Sequence, residues 1–344
     1  MGGELLDAVV IGAGPAGLSC AVGLERHGYD YAVLDKGSVV DAIYRMPTHM
    51  VFFTTPELLE IGGIPMVCVG PKPTRAEALM YYRRVAESLG LRIHPYERVV
   101  RVSGHDGDFR VEAVRSPGQE RRRYRGRKLV VATGIYDNPN RLGVPGEELP
   151  KVSHYYKEAH PYHGCDVAVV GGANSAAEAA LELFRAGARV TLVHRGDQLA
   201  QGLKYWVAPD IGNRIRNGQI QARLGSVVTA IGAERIRLRR LADGRESELR
   251  NDFVLALIGY HADEGFLEGL GIELDAATRK PRIDPATLES NVPGLYMAGV
   301  VIAGVENNKV FIENGRFHGE RIVAALGKAL PRTAAAEAMG APRA

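Results

Sequence analysis

The feature that most constrains this chain is a glycine-rich stretch near its N-terminus, VIGAGPAGLSC at residues 10–20. The apolar run from Leu6 to Ile11 that leads into it is too short for a helix and predicts a buried parallel strand. Pro15 suits the first position of a helix that continues to Leu24. Between strand and helix, the glycines permit a tight turn, a close backbone approach and close packing of the helix. The stretch is typical of a loop that holds a dinucleotide pyrophosphate at a helix N-terminus.

A carboxylate follows the second predicted strand of the same unit. Tyr31 to Leu34 form that strand, and Asp35 comes directly after it. An acid at this point accepts a hydrogen bond from a ribose 2′-hydroxyl and disfavours a 2′-phosphate. The first loop is therefore predicted to bind FAD or NAD rather than NADP.

A second loop repeats the pattern at VAVVGGANSAAE, residues 167–178. Its next strand, Val190 to Val193, ends in His194 and Arg195 where the first unit has an acid. A guanidinium binds phosphate oxygens in a bidentate fork, so this exchange favours a 2′-phosphate. We predict an NADPH site here, to which Lys204 either adds a cation or stays exposed.

Two further buried strands return to the sheets beside the loops. One is Leu129–Val131, followed by Ala132-Thr133-Gly134, and the other is 254–258, followed by Gly259. A last strand ends at Gly299, and residues 311–326 predict a final helix. The fold class is therefore α/β, with two Rossmann-like dinucleotide-binding domains, the second inserted into the first. The expected FAD domain is residues 1–152 and 266–344, and the expected NADPH domain is residues 153–265.

Composition excludes several classes of function. The formal net charge of +3 over 344 residues does not indicate nucleic-acid binding, and the basic run Arg121–Arg125 is interpreted as a solvated hairpin turn. Three separated cysteines disfavour a disulfide scaffold, a metal site and a vicinal dithiol. No apolar stretch is long enough to span a bilayer and no signal peptide is visible, so we expect a cytoplasmic protein without a membrane partner.

Taken together, these motifs resemble the flavoproteins with two dinucleotide-binding domains, the superfamily that contains the thioredoxin reductases. Further segments narrow the resemblance to the bacillithiol disulfide reductases, also called bacilliredoxin reductases: ELLEIGGIP (57–65), KVSHYYKEAHPY (151–162) and FIENGRFHG (311–319). The resemblance implies FAD in the outer domain and NADPH in the inserted one. It also implies reduction of a low-molecular-weight disulfide or its redoxin partner, by a homo-oligomer.

The chain departs from these relatives at three points. Thioredoxin reductases carry CxxC in the inserted domain, and this chain has none. They usually carry an acid after the glycine of the last strand, where this chain has Val300. The bacillithiol reductases often have Cys at the loop position of Ala16, so a covalent thiol step at that position is excluded here.

The residues predicted to bind the two cofactors lie in these motifs, and His49 is the one candidate for proton transfer beside the flavin. The predicted set is Gly12, Gly14, Pro15, Ala16, Gly17, Asp35, Lys36, Tyr44, Thr48, His49, Phe52, Ala132, Thr133, Gly134, Gly171, Gly172, Asn174, Ser175, Glu178, His194, Arg195, Lys204, Gly259, Gly299, Val300, Val310 and Phe311.

Other functions stay open at this point. Flavin-dependent monooxygenases share both nucleotide loops, although their linker carries Phe-x-Gly before a His, and here only His154 is present. A ferredoxin or flavodoxin reductase needs no cysteine. A redox sensor that binds NADPH without turnover is the alternative that is not an enzyme.

Overall fold

The computed structural model describes residues 4–329 of the chain. Its strands are β1 (Leu5–Ile11), β2 (Tyr31–Leu34), β3 (Ile93–His94), β4 (Glu97–His105), β5 (Asp108–Arg115), β6 (Glu120–Val131), β7 (Asn138–Pro139), β8 (Val152–Ser153), β9 (Asp166–Val170), β10 (Arg189–Val193), β11 (Gln221–Arg223), β12 (Ser226–Ile231), β13 (Arg235–Arg240), β14 (Glu246–Arg250), β15 (Phe253–Ala256), β16 (Tyr260–His261) and β17 (Leu295–Met297). Its α-helices are α1 (Pro15–Arg26), α2 (Asp41–Arg45), α3 (Arg75–Ser88), α4 (Asn174–Arg185), α5 (Val207–Arg216), α6 (Glu264–Gly269), α7 (Ile312–Gly315) and α8 (His318–Ala329).

The chain divides into two compact units. The first consists of Met1–Arg45, Met50–Asn138 and His261–Ala344, and the second of Met46–His49 and Pro139–Tyr260. Residues 1–3 and 330–344 of the first unit lie outside the described part of the chain. The fold is α/β, and each unit has a Rossmann-like arrangement of parallel strands and helices.

The sheet of the first unit has a parallel part and an antiparallel part that share β6. Strands β3, β2, β1 and β6 lie side by side in parallel, and the last residues of β6 also pair with β17. The first half of β6 pairs with β5 instead, and β5 pairs with β4, both antiparallel. Apolar residues from both parts form one core cluster that includes Val9, Leu34, Val111 and Leu129.

The sheet of the second unit is fully parallel, in the order β11-β10-β9-β15-β8. Helix α4 covers one face of this sheet with six buried residues, mostly alanines. A separate antiparallel sheet, β12-β13-β14, contributes Ile236 to a second cluster of buried residues, which also contains Val170 of β9.

The second unit begins earlier than the expected boundary at residue 153. Leu142, Val144 and Leu149 pack against its apolar cluster, and the Ile231 N–H donates to the Pro145 carbonyl at 2.8 Å. The proline-rich stretch therefore belongs to the second unit because its half-buried apolar side chains pack there. At the far end, this unit stops at Tyr260 rather than residue 265.

Two expectations for local structure were wrong. Residues 311–326 form two helices rather than one, because the Arg316 carbonyl between them accepts a hydrogen bond from the Ser19 hydroxyl of α1 and leaves the helical ladder. The run Arg121–Arg125 is part of strand β6 and not of a turn, since it pairs residue by residue with β5.

Among the described residues, no helix combines the length and the apolar character needed to cross a bilayer.

Candidate functional site

The two glycine-rich loops make similar turns at the carboxyl end of their sheets, each with a glycine at positive φ. Gly12 has φ +111°, and a Cβ on it would lie 2.4 Å from the Ala132 carbonyl oxygen. Gly171 has φ +147°, and its Cβ would lie 2.4 Å from the Leu257 carbonyl oxygen. No side chain fits at either position, so each turn needs glycine.

The first turn leads directly into α1. Gly14 is the N-cap residue with no side-chain cap, and Pro15 is the first helical residue, as predicted. A Cβ on Gly17 would lie 1.9 Å from the Gly12 carbonyl oxygen, whereas a Cβ on Gly14 would meet no atom within 4 Å. Space is therefore open over Gly14, beside the N–H groups that α1 leaves unsatisfied at its start.

Asp35 ties this loop to the end of β2. Its Oδ2 accepts from the Ala13 N–H at 2.7 Å, and its Oδ1 accepts from the Gly37 N–H at 2.8 Å. Burial raises the pKa of the Asp35 carboxyl, and this effect outweighs that of the two N–H donors, which lower the pKa. The carboxylate holds the loop in shape, and each oxygen keeps a lone pair for a further donor.

The strand end at residues 132–134 lies against the same loop. The Ala132 N–H donates to the Ile11 carbonyl at 2.8 Å. The Thr133 hydroxyl oxygen is buried and has no hydrogen-bond partner among the described residues. Gly134 has φ +68° and no atom within 4 Å of a Cβ built on it. Lys36 is paired with Asp137 at 2.7 Å, so its ammonium is already neutralised.

Ala16 lies against the end of β17. A Cβ built on Gly299 would be 2.8 Å from the Ala16 methyl group, and Gly299 has φ +80°. The Gly299 N–H donates to Nδ1 of the buried His318 at 2.9 Å. Because Nδ1 is the acceptor, the neutral ring carries its proton on Nε2.

The remaining residues predicted to lie near the flavin differ in exposure and in the compact unit to which they belong. Tyr44 and Phe311 are exposed, at 52% and 55%, and Phe52, Val300 and Val310 are half-buried. Thr48 and His49 fall in the second compact unit, where the Thr48 N–H donates to the Lys157 carbonyl at 2.8 Å. His49 is exposed.

In the second loop, His194 and Arg195 have different surroundings. The imidazole of His194 covers Gly172 so closely that a Cβ there would lie 2.3 Å from the ring. Burial, followed by the nearby Arg195 charge, lowers the pKa of His194. The ring is therefore neutral near pH 7, and the exposed Arg195 carries the positive charge at the end of β10.

Asn174 and Glu178 of α4 hold the segment that contains Lys204. The Asn174 side chain accepts from the Lys204 N–H at 2.8 Å and donates to the Gly202 carbonyl at 3.1 Å. The Lys204 ammonium is 2.7 Å from a Glu178 carboxylate oxygen. Of the two remaining predicted residues, Ser175 is exposed and Gly259 has φ +92°.

Sequence reasoning missed three residues that the structure places in these sites. Asp137 pairs with both Lys36 and Arg45, and His318 contacts Gly299. Arg223 ends β11 directly opposite Val193, next to the segment of His194 and Arg195. His318 lies inside the FIENGRFHG motif, so the sequence offered a signal for it. No sequence motif marked Arg223 or Asp137, because strand pairing places Arg223 and ion pairs with Lys36 and Arg45 place Asp137.

Two of the three cysteines, Cys20 and Cys68, lie in surroundings that disfavour a thiolate. Burial raises the pKa of Cys20 to about 12. Burial, with a smaller effect of Glu77, also raises the pKa of Cys68. The Cys165 thiol is half-buried and donates to the His163 carbonyl at 3.6 Å. A thiolate is the nucleophile in disulfide exchange, so Cys20 and Cys68 are poor candidates for that step.

The buried His318 should make stability depend on pH. Burial, with a smaller effect of Arg321, lowers its pKa to about 4 from the ordinary 6.5. Below pH 6.5 the unfolded chain binds a proton that the folded chain does not, so the free energy of unfolding falls as the pH drops from 6.5 to 4, by up to about 3 kcal/mol.

His318→Asn, which keeps an acceptor but does not titrate, should lose less free energy of unfolding over this pH range, as measured by denaturant unfolding. The exposed His105→Asn is the control, and equal pH profiles for all three proteins would contradict the assignment.

Comparison with known proteins agrees with this geometry. A family model for pyridine nucleotide-disulphide oxidoreductases matches residues 9–299. The chain is 43% identical over 322 residues to bacilliredoxin reductase Bdr of Bacillus subtilis (strain 168), covering 93% of this chain and 97% of that protein. The structure of bacillithiol disulfide reductase Bdr (YpdA) from Bacillus cereus has a TM-score of 0.92 at 41% identity, over 95% of this chain and all of that one. A ferredoxin–NADP reductase of Ignicoccus hospitalis is 30% identical over 299 residues, 85% of this chain and 89% of that protein.

FAD and NADPH are the cofactors that this family and fold imply. The chain therefore belongs to the pyridine nucleotide-disulphide oxidoreductase family and is a pyridine nucleotide-dependent oxidoreductase.

Proposed function

We propose that this protein oxidises NADPH and passes the electrons through FAD to a low-molecular-weight disulfide, bacillithiol disulfide, or to its redoxin partner. The observation that carries the proposal is the 43% identity to a bacilliredoxin reductase over nearly the full length of both chains. The balanced reaction consumes NADPH, one proton and the disulfide, and it yields NADP⁺ and two thiols.

The first loop is the site we assign to FAD. The open space over Gly14, the uncapped start of α1 and the carboxylate of Asp35 fit a pyrophosphate and a ribose. The buried hydroxyl of Thr133, which lacks a protein partner among the described residues, offers a further hydrogen bond to a group bound there. The flavin, once bound, supplies hydride acceptance and two-electron transfer.

The second loop is the site we assign to NADPH. Helix α4 starts without a side-chain cap, as α1 does, and so leaves N–H groups for a pyrophosphate. The exposed Arg195 follows β10 at the place where the first unit has Asp35. We assign the 2′-phosphate contact to Arg195, while His194 shapes the loop by packing on Gly172.

The cysteine environments support a thiol step outside this chain. Cys20 is held as a thiol by burial, and Ala16 has no thiol next to Gly299. We therefore propose that the reduced flavin delivers electrons directly to the disulfide or to a thiol pair on the redoxin. His49, which is exposed, is retained as the proposed proton donor.

The assembly and the compartment are also proposals. Seven large apolar side chains between Tyr44 and Met80 are exposed, which supports self-association into a homo-oligomer. Light scattering on the purified protein tests this by its molar mass. The three cysteines are free thiols, as is usual in a reducing compartment, so we place the protein in the cytoplasm.

An acceptor assay tests the function. The purified, FAD-loaded protein should oxidise NADPH rapidly with bacillithiol disulfide or oxidised bacilliredoxin, and only slowly with ferredoxin or oxygen. The measurement is the rate of NADPH absorbance loss under one set of conditions, together with the thiols formed. Two thiols should appear for each NADPH consumed. Faster turnover with ferredoxin would transfer the assignment to the ferredoxin–NADP reductases, and flavin reduction without turnover on any acceptor would indicate a sensor.

Substitution at Gly14 tests the FAD site. Gly14→Ala meets no atom within 4 Å and keeps an ordinary backbone conformation, so the apoprotein should fold with an unchanged unfolding midpoint. The added methyl occupies the space assigned to the pyrophosphate, and FAD affinity should fall about tenfold or more, measured by flavin fluorescence. Gly118→Ala, which also meets no atom within 4 Å, is the control and should bind FAD normally. Normal FAD affinity in Gly14→Ala would place the cofactor elsewhere.

Substitution at Arg195 tests the NADPH site. Arg195→Gln removes a charged donor to the 2′-phosphate, so the KM for NADPH should rise about tenfold while the KM for NADH stays constant. Arg189→Gln, at the opposite end of the same strand and paired with Asp166, is the matched control. Parallel changes of both KM values in Arg195→Gln would show that Arg195 does not contact the 2′-phosphate.

A further inference from the structure

The basic run Arg121–Arg125 is part of a charged sheet face that the proposed function does not use. On β5, Phe109, Val111 and Ala113 are buried in the core, so the alternate residues Glu112 and Val114 point outward. Residues directly opposite on neighbouring strands share a face. The register therefore places Arg121 and Arg123 of β6 on this outer face.

Two rows of side chains cross this face from β4 to β6. In one row Arg98 and Arg121 flank Val114. In the other row Arg101 and Arg123 flank Glu112. With neighbouring strands about 4.8 Å apart, the arginines of a row start from strands about 10 Å apart. Four arginine side chains thus flank one carboxylate, that of Glu112, and one apolar side chain, that of Val114.

These arginines are poorly neutralised within the protein. Arg98, Arg101 and Arg121 form no ion pair within residues 4–329, and Arg123 is 3.9 Å from Glu112. In the sheet of β12, β13 and β14, by contrast, Arg237 faces Glu248 and Arg239 faces Glu246 across the strands. Opposed charges are the usual arrangement on an exposed sheet face, whereas in these two rows of the first sheet Glu112 is the one carboxylate opposite four arginines.

The excess charge is large for this protein. Among the residues paired between these three strands, six arginines and two carboxylates share the outer face, an excess of four positive charges, while the whole chain has a formal net charge of +3. The residues are Arg98, Arg101, Arg110, Arg121, Arg123, Arg125, Asp108 and Glu112.

The face is concave at the centre of the rows. A cavity of about 340 Å³ lies there, lined among others by Arg101, Glu112, Val114, Arg121 and Arg123. The volume is within the range of small-molecule sites.

We propose that this cavity binds a small multivalent anion, whose phosphate or carboxylate groups are held by Arg101, Arg121 and Arg123. Guanidinium groups bind such oxygens in bidentate pairs. A second copy of the chain does not suit this face in a symmetric dimer, because like charges would meet. The concave shape favours a small ligand over the flat surface of an acidic protein.

The site is separate from the nucleotide loops. Arg121 lies ten residues before Val131 on β6, the strand that ends beside Gly12, and this corresponds to about 33 Å of strand. A ligand of the cavity therefore does not compete with the dinucleotides.

Titration calorimetry on the full, FAD-loaded chain tests the proposal, with tripolyphosphate and citrate as separate probes and saturating NADP⁺ present. We expect saturable binding of at least one anion at one per chain, weakened by salt. Arg101→Gln with Arg123→Gln should reduce the affinity at least tenfold and leave NADPH oxidation unchanged. The control, Arg237→Gln with Arg239→Gln, removes the same charge from the other sheet and should bind normally. If tripolyphosphate alone binds, the ligand is a phosphate compound, and if citrate binds as well, carboxylates are accepted.

Three outcomes would overturn the proposal. They are absence of saturable binding by either anion, equal losses in the two double variants, and binding that appears only when NADP⁺ is left out.

Discussion

The rest of the structure depends on one backbone contact that occurs in both units. A carbonyl oxygen at the end of a parallel strand, on Ala132 or Leu257, occupies the place where a side chain of Gly12 or Gly171 would be. The N–H groups of the same glycines complete the arrangement, since the Gly12 N–H donates to the Leu34 carbonyl at 2.7 Å and the Gly171 N–H donates to the Val193 carbonyl at 2.9 Å. Three strands and the start of a helix thereby meet at one point, and an uncapped helix N-terminus is left facing open space.

The chemistry differs between the two units because of the residues that follow the second strand. In the first unit, Asp35 uses both oxygens to hold the loop and presents a negative charge. In the second, a neutral His194 packs on Gly172, and Arg195 remains exposed as the cation. The two units therefore have similar turns but opposite charge at the position that we assign to the ribose. This difference supports the assignment of FAD to one unit and NADPH to the other.

Much of the fold could be predicted because its signals are local. The strand from Tyr31 to Leu34 and the helix start at Pro15 have the predicted bounds, since short apolar runs, glycine and proline each act on the backbone of their own segment. The errors came from contacts between distant segments. The helix predicted over 311–326 is interrupted by a hydrogen bond from Ser19, and Pro139 to Pro150 join the second unit through packing against Ile231 and its neighbours. Thr48 and His49, which were predicted beside the flavin, are grouped with the second compact unit, and their role stays a prediction.

The sequence by itself determined the two glycine loops, the sign of the charge after each second strand and the absence of a cysteine pair, because these are properties of residue type and spacing. Only the tertiary structure decided that Lys204 is paired with Glu178, that His318 supports Gly299 and that Arg121 shares a face with Arg101. Each of these facts depends on strand register or on contact between segments far apart in the chain. The partner and the protonation state of a side chain follow from such neighbours, and residue spacing does not contain them.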